Sequence, residues 1–290
     1  MTTALKNYYT KGGQLKIQRL SGAELPVDHC HINLAVIERS RSSEATIDQH
    51  SSSFSLLGGR KVETIGQSSP VPLDTLFELR KLNGKLRRPS RILIQGSAGV
   101  GKTTLCKKIV HDYFYRGLWQ KLFDWLLWVP LQKLELKSSV KGYNLGDLLF
   151  DEYFSHYDGG ENLAQAMWKT IGETTGDRTL FILDGLDEVS DKWRQGTPMY
   201  QLLRNLLEMP CVIIMTRPYR LSQTNLGRLD LELEIIGFLS NQVVTYVENP
   251  EIIREKETAK RIREFIQKNV LIRRLVRIPM QLDADRKSVV

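Results

Sequence analysis

The chain lacks the features that mark membrane-spanning, secreted and disulfide-stabilised proteins. None of its apolar runs approaches the ~18 residues of a membrane span, and its opening residues, Met1-Thr-Thr-Ala-Leu5, contain no apolar segment of a secretion signal. The three cysteines, Cys30, Cys106 and Cys211, are an odd number without a C-x-x-C pair, which argues against a disulfide framework. We therefore expect a cytoplasmic protein with reduced thiols and no membrane partner.

Acidic residues are outnumbered by basic ones. The 33 Asp and Glu face 41 Lys and Arg, which gives a formal net charge of +8 over 290 residues. Such a charge permits binding to nucleic acid or acidic surfaces, but it bears on steering and solubility and not on fold. The hydrophobic fraction of 41% is ample for the core of one large domain or two smaller ones.

The clearest motif is a glycine-rich loop that follows an apolar run. Residues 96–103, Gly-Ser-Ala-Gly-Val-Gly-Lys-Thr, fit G-x-x-x-x-G-K-[ST] at every fixed position. Glycines let successive backbone N–H groups turn toward one point, and the N-terminus of the next helix adds partial positive charge there. Lys102 would reach the outer phosphates, and Thr103 would ligate Mg²⁺. The predicted nucleotide-binding residues are Gly96, Ser97, Ala98, Gly99, Val100, Gly101, Lys102, Thr103 and Thr104.

Three acidic residues follow a second apolar run. The sequence Leu180-Phe-Ile-Leu-Asp184-Gly-Leu-Asp187-Glu188 places one carboxylate where the predicted strand ends and two more just beyond it. A nucleotide site of this kind needs an acid on the Mg²⁺ side and a further acid to orient the attacking water. Asp184 is the candidate for the metal side. Asp187 and Glu188 are both candidates for polarising water, and their spacing does not choose between them.

A third apolar run ends in a hydroxyl and a guanidinium group. Thr216 and Arg217 follow Ile213-Ile-Met215 and precede Pro218. Ligands of open α/β sheets bind at the carboxyl edge of the strands. Arg217 is therefore a candidate for contacting the γ-phosphate, although a surface arginine at a strand end is the plainer alternative.

Strand and helix patterns alternate through the middle of the chain. Short apolar runs predict strands at 91–95, 124–131, 179–183, 211–215 and 229–236, and helical spacing predicts helices at 102–115, 145–154, 163–171 and 200–207. Alternation of this kind indicates an α/β fold with a parallel sheet flanked by helices. The expected core therefore has five strands.

The two ends of the chain do not show this alternation of strands and helices. Near the amino terminus, 14–20 and 31–38 resemble strands of a hairpin or small sheet, 40–55 is Ser-rich and resembles a loop, and the spacing of Leu73, Leu76, Phe77 and Leu79 predicts a helix over 73–82. After Leu239 only helices are expected. Ser240 is the predicted N-cap of one helix, Asn249 followed by Pro250 begins another, and apolar residues up to Val276 form a small bundle.

The combination of motifs resembles a known family. Gly96-Ser-Ala-Gly-Val-Gly-Lys-Thr-Thr104, Leu183-Asp-Gly-Leu-Asp-Glu188 and Thr216-Arg-Pro218 are similar to the NACHT family of signal-transducing NTPases of the STAND class, relatives of the AAA+ ATPases. Gly237-Phe-Leu-Ser240 and Arg277-Ile-Pro-Met-Gln-Leu282 are similar to the helical subdomain of that family. The first residues, among them Tyr8-Tyr9 and Ile32–Glu38, look like the region that precedes NACHT in fungal NOD-like receptors.

The resemblance implies a nucleotide switch. It implies binding of ATP or ADP with Mg²⁺, slow hydrolysis, an AAA+-like fold, and a proline near adenine, which corresponds to Pro279. It divides the chain into an N-terminal region (1–82), a nucleotide-binding domain (83–237) and a helical subdomain (238–290). The winged-helix and repeat domains that the family normally adds are not in this sequence, so we expect a nucleotide-switch core, either a shortened gene product or a fragment, that self-associates or pairs with a longer NACHT protein.

Three alternatives accompany this interpretation. An AAA+-like remodelling or nucleic-acid motor would share the phosphate loop, but it needs an arginine finger and gripping loops that we do not identify. The basic stretch from Arg254 to Arg277 could bind nucleic acid, although interleaved glutamates favour a solvated helix face. Asp28-His29-Cys30-His31 could bind metal, but strand alternation would put only the two histidines on one face, and structural zinc takes four ligands.

Overall fold

The secondary structure is taken from a computed structural model, which describes residues 1–19, 22–30, 34–39, 70–134, 142–174, 176–189, 196–218 and 226–283. The strands are β1 (Lys16–Gln18), β2 (Glu24–Pro26), β3 (Ala35–Glu38), β4 (Arg80–Leu82), β5 (Lys85–Arg87), β6 (Arg91–Gly96), β7 (Trp125–Pro130), β8 (Thr179–Asp184), β9 (Val212–Thr216) and β10 (Leu231–Gly237). The α-helices are α1 (Thr2–Lys11), α2 (Val27–Cys30), α3 (Lys102–Arg116), α4 (Leu145–Leu149), α5 (Gly160–Glu173), α6 (Pro198–Leu207), α7 (Ser240–Glu248), α8 (Lys256–Lys268) and α9 (Val270–Leu275).

A six-stranded sheet forms the centre of the protein. Its strand order is β3-β10-β6-β9-β8-β7, and β10, β6, β9, β8 and β7 run parallel, while β3 joins the edge antiparallel to β10. Every residue of β8 and β9 is buried, as expected for strands covered on both faces. The predicted α/β fold with a five-strand parallel core is confirmed, with one further strand at its edge.

The order of the strands decides which loops and strand ends lie close together. Strand β6 lies between β10 and β9, and β9 lies between β6 and β8. Because parallel strands present their carboxyl ends at one edge, the loop after β6 and the polar ends of β8 and β9 all reach that edge. Helix α3 then packs on the sheet through Leu105, Ile109 and Val110, all of them buried.

Two expectations for the N-terminal region are wrong. Residues 73–82 do not form one helix: a 3-10 helix (Leu73–Phe77) is followed by a hairpin of β4 and β5. Asn83 and Gly84 form its turn at φ 48° and 80°, the left-handed values that favour Asn-Gly in tight hairpins. The expected pairing of 14–20 with 31–38 is also absent from the described residues, since β1 pairs with β2 and β3 joins the main sheet.

Other N-terminal features were not foreseen or lie outside the described residues. Helix α1 was not predicted, and its buried Leu5 and Tyr9 join the main core. The Ser-rich stretch at 40–55 lies outside the described residues. Residues 27–30 form the short helix α2, so the strand alternation assumed for His29 and Cys30 is wrong, and His31 lies outside the described part.

Helices follow β10, as predicted, but one of them begins later than expected. Helix α7 starts at Ser240 itself, with Leu239 as the N-cap. Pro250 begins a turn and no helix, and the Asn249 side chain accepts a hydrogen bond from the N–H of Glu251; α8 starts only at Lys256. After α9 a last helical segment covers 279–283, with Pro279 at its first position. We call α7, α8, α9 and 279–283 together the helical part.

The described residues bear on the expectations for membrane spans and for cysteines. No helix among them has both the length and the apolar character needed to cross a membrane. Cys106 and Cys211 are buried free thiols. The division of the chain at residues 82 and 237 remains a prediction.

Candidate nucleotide-binding site

The glycine-rich loop connects the centre of the sheet to α3. Gly99 and Gly101 have φ values of 73° and 103°, which L-residues with a Cβ rarely adopt. A Cβ on Gly101 would also lie 2.8 Å from Cδ1 of Leu34, so the Leu34 side chain would have to shift. With Gly101 as N-cap, α3 begins without a side-chain cap, and its first N–H groups have no partner within the helix. The loop therefore has the geometry of an anion site.

The ammonium group of Lys102 turns back to the loop. Its Nζ donates to the carbonyl oxygens of Gly96 at 2.8 Å and Ser97 at 3.1 Å. Burial lowers the pKa of Lys102, and the nearby carboxylates of Asp187, Asp184 and Glu188 act in the opposite direction. A phosphate group would supply the negative charge that this partly buried cation needs.

Asp184 ends β8 beneath the loop. Burial raises the pKa of its carboxyl group, against the effect of the neighbouring Thr103, Trp128 and Lys102. The indole N–H of Trp128 is close enough to lower this pKa, but it is buried and its geometry completes no hydrogen bond. The carboxylate of Asp184 and the hydroxyl of Thr103 are thus brought together, as predicted for the metal side.

The side chain of Asp187 is bound to residues at the end of β9. Its Oδ1 accepts from the backbone N–H of Arg217 at 3.0 Å and lies 3.4 Å from the Thr216 hydroxyl, and its Oδ2 lies 3.1 Å from Nε of Arg217. The Asp187 side chain is only 5% exposed, whereas that of Arg217 is 42% exposed. Asp187 therefore orients Arg217 and fixes the loop that carries it.

The side chain of Glu188, unlike that of Asp187, faces the cavity. Its side chain makes no hydrogen bond or ion pair with any residue that the structure describes, and it lines the same cavity as Lys102 and Arg217. Burial and the neighbouring Asp187 and Asp184 raise the pKa of its carboxyl group. An uncommitted carboxyl group with a raised pKa has the properties of a group that orients or deprotonates water.

One cavity of about 330 Å³ joins these groups. Of the predicted site residues its walls contain Ala98, Gly99, Gly101, Lys102, Thr103, Thr104, Asp184, Glu188, Arg217 and Pro279. Gly96, Ser97, Val100 and Asp187 are not among the lining residues: Val100 is a buried core residue, and Asp187 acts through Arg217. The structure therefore brings most of the predicted residues to one place.

The cavity also has walls that sequence reasoning did not assign to it. Ile17, Gln18 and Arg19 come from β1 and the residue after it. Phe238 directly follows β10, Tyr246 lies in α7, and Met280 and Asp283 lie in the segment 279–283. The rings of Phe238 and Tyr246 lie 5.5 Å apart. No spacing in the sequence relates positions so far apart, so only the fold reveals this half of the site.

The helical part closes directly onto the loop. The N–H of Met280 lies 3.4 Å from the carbonyl oxygen of Gly99, and a Cβ on Gly99 would lie 3.0 Å from that of Met280. At Gly237, φ is 89° and an added Cβ would lie 2.3 Å from the carbonyl oxygen of Arg277. The amide of Phe238 donates to the same oxygen at 2.8 Å. Glycine is thus required where the sheet and the helical part meet.

The donors of the site suit one class of metal ion. Mg²⁺ takes oxygen ligands, which Thr103 and Asp184 offer, and it usually keeps several waters or phosphate oxygens. Within the described ranges no three His, Cys, Asp or Glu side chains gather as a protein-only metal site. An Mg²⁺ ion held by these two residues would take its remaining ligands from water or from a bound phosphate.

Comparisons with known proteins agree with this arrangement. A family model described as the NACHT domain matches residues 90–252, and one described as a domain of unknown function (DUF7068) matches 257–284. NACHT, LRR and PYD domains-containing protein 10 of Mus musculus is 31% identical over 234 residues, which are 77% of this chain and 31% of that protein. NACHT, LRR and PYD domains-containing protein 12 of Mus musculus is 30% identical over 190 residues, which are 59% of this chain and 17% of that protein.

Solved structures are similar at a lower level. The Orc1 protein of Aeropyrum pernix in complex with DNA aligns with a TM-score of 0.39 and 15% identity, covering 80% of this chain and 62% of that one. A RuvB variant of Thermotoga maritima aligns with a TM-score of 0.31 and 12% identity, covering 69% and 61%.

The match to the NACHT model includes the glycine-rich loop, the acidic end of β8 and Arg217. The chain spans less than a third of the length of the two mouse relatives. Since the model covers more than half of the sequence, the chain belongs to the NACHT family of STAND-class NTPases.

Proposed function

We propose that the chain is an ATP- and ADP-binding switch that hydrolyses ATP slowly and whose nucleotide state controls assembly. The observation that carries this proposal is the cavity in which the loop, the acidic end of β8, Arg217 and the helical part all meet. A ligand that bridges these walls has different contacts before and after loss of its γ-phosphate. Only such differential contacts can shift a conformational equilibrium.

Each residue has a distinct part in the proposed reaction. The N–H groups at the start of α3 and the ammonium of Lys102 hold the phosphates, and an Mg²⁺ ion held by Thr103 and Asp184 would neutralise their charge. Glu188 orients a water molecule and accepts its proton as the oxygen attacks the γ-phosphorus. The bond from that phosphorus to the bridging oxygen breaks, which leaves ADP and inorganic phosphate. Arg217, oriented by Asp187, contacts the γ-phosphate.

Exposed apolar side chains support the proposed assembly. Val270, Leu271 and Leu275 in α9 are 57%, 74% and 43% exposed. Contiguous apolar surface of this kind favours association, and we propose as its partner a second copy or a longer NACHT protein. Light scattering on the chain with ATP, ADP or no nucleotide tests this. A single monomer mass under all three conditions contradicts it.

Release and chromatographic identification of the nucleotide that co-purifies with the chain tests the proposed ligand. We expect ADP or ATP, and turnover that is slow and independent of DNA and RNA. GTP or GDP alone would overturn the choice of base. Turnover stimulated by DNA or RNA would instead support the motor. The fungal receptor type, a role in innate immunity and the cytoplasmic location remain predictions.

A further inference from the structure

The guanidinium group of Arg19 is the centre of a cluster that the phosphate chemistry does not use. Its Nε and Nη2 lie 3.1 and 2.5 Å from Oδ1 of Asp283, its Nη1 donates to the carbonyl oxygen of Ile252 at 3.2 Å, and Nη2 lies 3.4 Å from the Tyr246 hydroxyl. The side chains of Arg19 and Asp283 are only 7% and 8% exposed. This arginine therefore has well-defined, water-excluded partners.

The partners of Arg19 come from three separate segments of the helical part. Tyr246 belongs to α7, Ile252 to the turn before α8, and Asp283 to the last helical segment. Arg19 itself follows β1, at the other end of the chain. Its contacts thus join the N-terminal region to the helical part.

The cluster also borders the cavity. Arg19, Tyr246 and Asp283 all line it, on the side formed by β1 and the helical part. Opening of this wall has to break the ion pair of Arg19 with Asp283 and its hydrogen bond to the carbonyl oxygen of Ile252 at the same time.

We propose that Arg19 is a positioning residue that clamps the helical part over the bound nucleotide and so sets the rate of nucleotide release. This inference rests on the proposed function, since it requires a nucleotide in the cavity. Arg19 acts through Asp283, Ile252 and Tyr246 and not on the phosphates. Its loss should therefore change release far more than the chemistry of hydrolysis.

The experiment is stopped-flow release of a fluorescent ADP analogue from the 290-residue chain and its variants. Arg19→Gln and Asp283→Asn should each speed release by roughly tenfold or more, because each removes one side of a buried charged pair. The double variant should release no faster than about the quicker single one, since the two changes remove the same contact. Tyr246→Phe, which removes one acceptor and keeps the ring, should have a smaller effect.

The chain offers a control in a second ion pair whose carboxylate is buried and whose arginine is partly exposed. Arg87 pairs with Asp230, whose side chain is 3% exposed, and neither residue lines the cavity. Asp230 directly precedes β10, so this pair lies at the amino ends of the strands, whereas the cavity lies at their carboxyl ends. Arg87→Gln should lower the melting temperature without changing the release rate.

Each outcome decides for or against the clamp. Unchanged release in both single variants, additive effects in the double variant, or equally fast release from Arg87→Gln would overturn it. If Arg19→Gln does not fold, Arg19→Lys and Tyr246→Phe provide the test, and wild-type release in both counts against the clamp. Failure of the unmutated chain to bind any nucleotide would instead refute the proposed function, so the two failures are distinguishable.

Discussion

The six-stranded sheet with its flanking helices, which we call the sheet domain, and the helical part differ in how completely they are buried. In the sheet domain, β8 and β9 are buried along their whole length and each pairs with strands on both sides. In the helical part, α7 and α8 each bury one face, through residues such as Val247 and Ile262, but α9 has no buried residue. Its attachment includes close backbone contacts at Gly99 and Gly237 and the Arg19 cluster.

This difference separates scaffold from moving part. A continuous apolar core holds the sheet domain in one arrangement, so the loop, Asp184 and Arg217 keep their places without a ligand. Segments with few buried side chains, such as α9, open at lower cost, and elements that move are drawn from such segments. We therefore expect nucleotide to bind to the sheet domain and to be sensed by the helical part.

The largest expected effect is at the loop. Lys102→Ala should abolish nucleotide binding, because the loop loses the side-chain cation that faces the outer phosphates. A ligand at 100 times its Kd stabilises a protein by about 2.7 kcal/mol, and this gain should vanish. Thermal unfolding with and without Mg-ATP measures it. Lys169→Ala, on an exposed helix face, is the control and should keep the full rise in melting temperature with Mg-ATP. A rise of normal size in Lys102→Ala would contradict the assignment of the loop to phosphate binding.

The next effect separates binding from chemistry within the sheet domain. Glu188→Gln should keep ATP bound and slow hydrolysis by about 10²–10⁴-fold, the usual contribution of a general base. Asp187→Asn should weaken binding as well, because Arg217 loses its ion pair. Single-turnover hydrolysis beside equilibrium binding distinguishes the two variants. Wild-type turnover in Glu188→Gln would remove this residue from the mechanism.

The junction of the two regions is tested by a pair of glycines. Gly237→Ala should lower the free energy of unfolding by about 1–3 kcal/mol, because its backbone conformation is strained for alanine and the added Cβ meets the Arg277 carbonyl group. Gly172→Ala, in a helix with open space around it, should instead raise that energy by about 0.5–1 kcal/mol. Denaturant unfolding measures both. Equal effects would mean that the junction imposes no special geometry.

The smallest expected effect concerns the buried acid of the scaffold. Burial raises the pKa of Asp184 in the folded protein, so the folded state binds the proton more tightly and stability falls as pH rises through the interval above about 4, the pKa of an exposed Asp. Without nucleotide or metal, Asp184→Asn should therefore melt higher than wild type at pH 7, and this gain should disappear at about pH 3, below both pKa values. The Mg²⁺ dependence of nucleotide binding should weaken in the same variant. A lower melting temperature at pH 7 would contradict this.

The accuracy of sequence-based prediction differs between these regions for physical reasons. The strands ending at Gly96, Asp184 and Thr216 were foreseen because buried parallel strands require unbroken apolar runs. The helix expected over 73–82 is wrong because its leucine spacing also suits a 3-10 turn, and because Asn83-Gly84 forms a hairpin turn between two short strands. The choice between Asp187 and Glu188 stayed open because adjacent carboxylates look alike until their partners are known.

The sequence by itself determined the fold class, the phosphate loop and the acids that face it. Those features depend on local chemistry: glycines that allow left-handed backbone, a cation at a helix start, and carboxylates at strand ends. The tertiary structure alone decided that β3 closes the sheet edge, that Asp187 is committed to Arg217 while Glu188 faces the cavity, and that Arg19 meets Asp283. These pairings join residues distant in the chain, and no local pattern encodes them because only the packed core brings the two ends together.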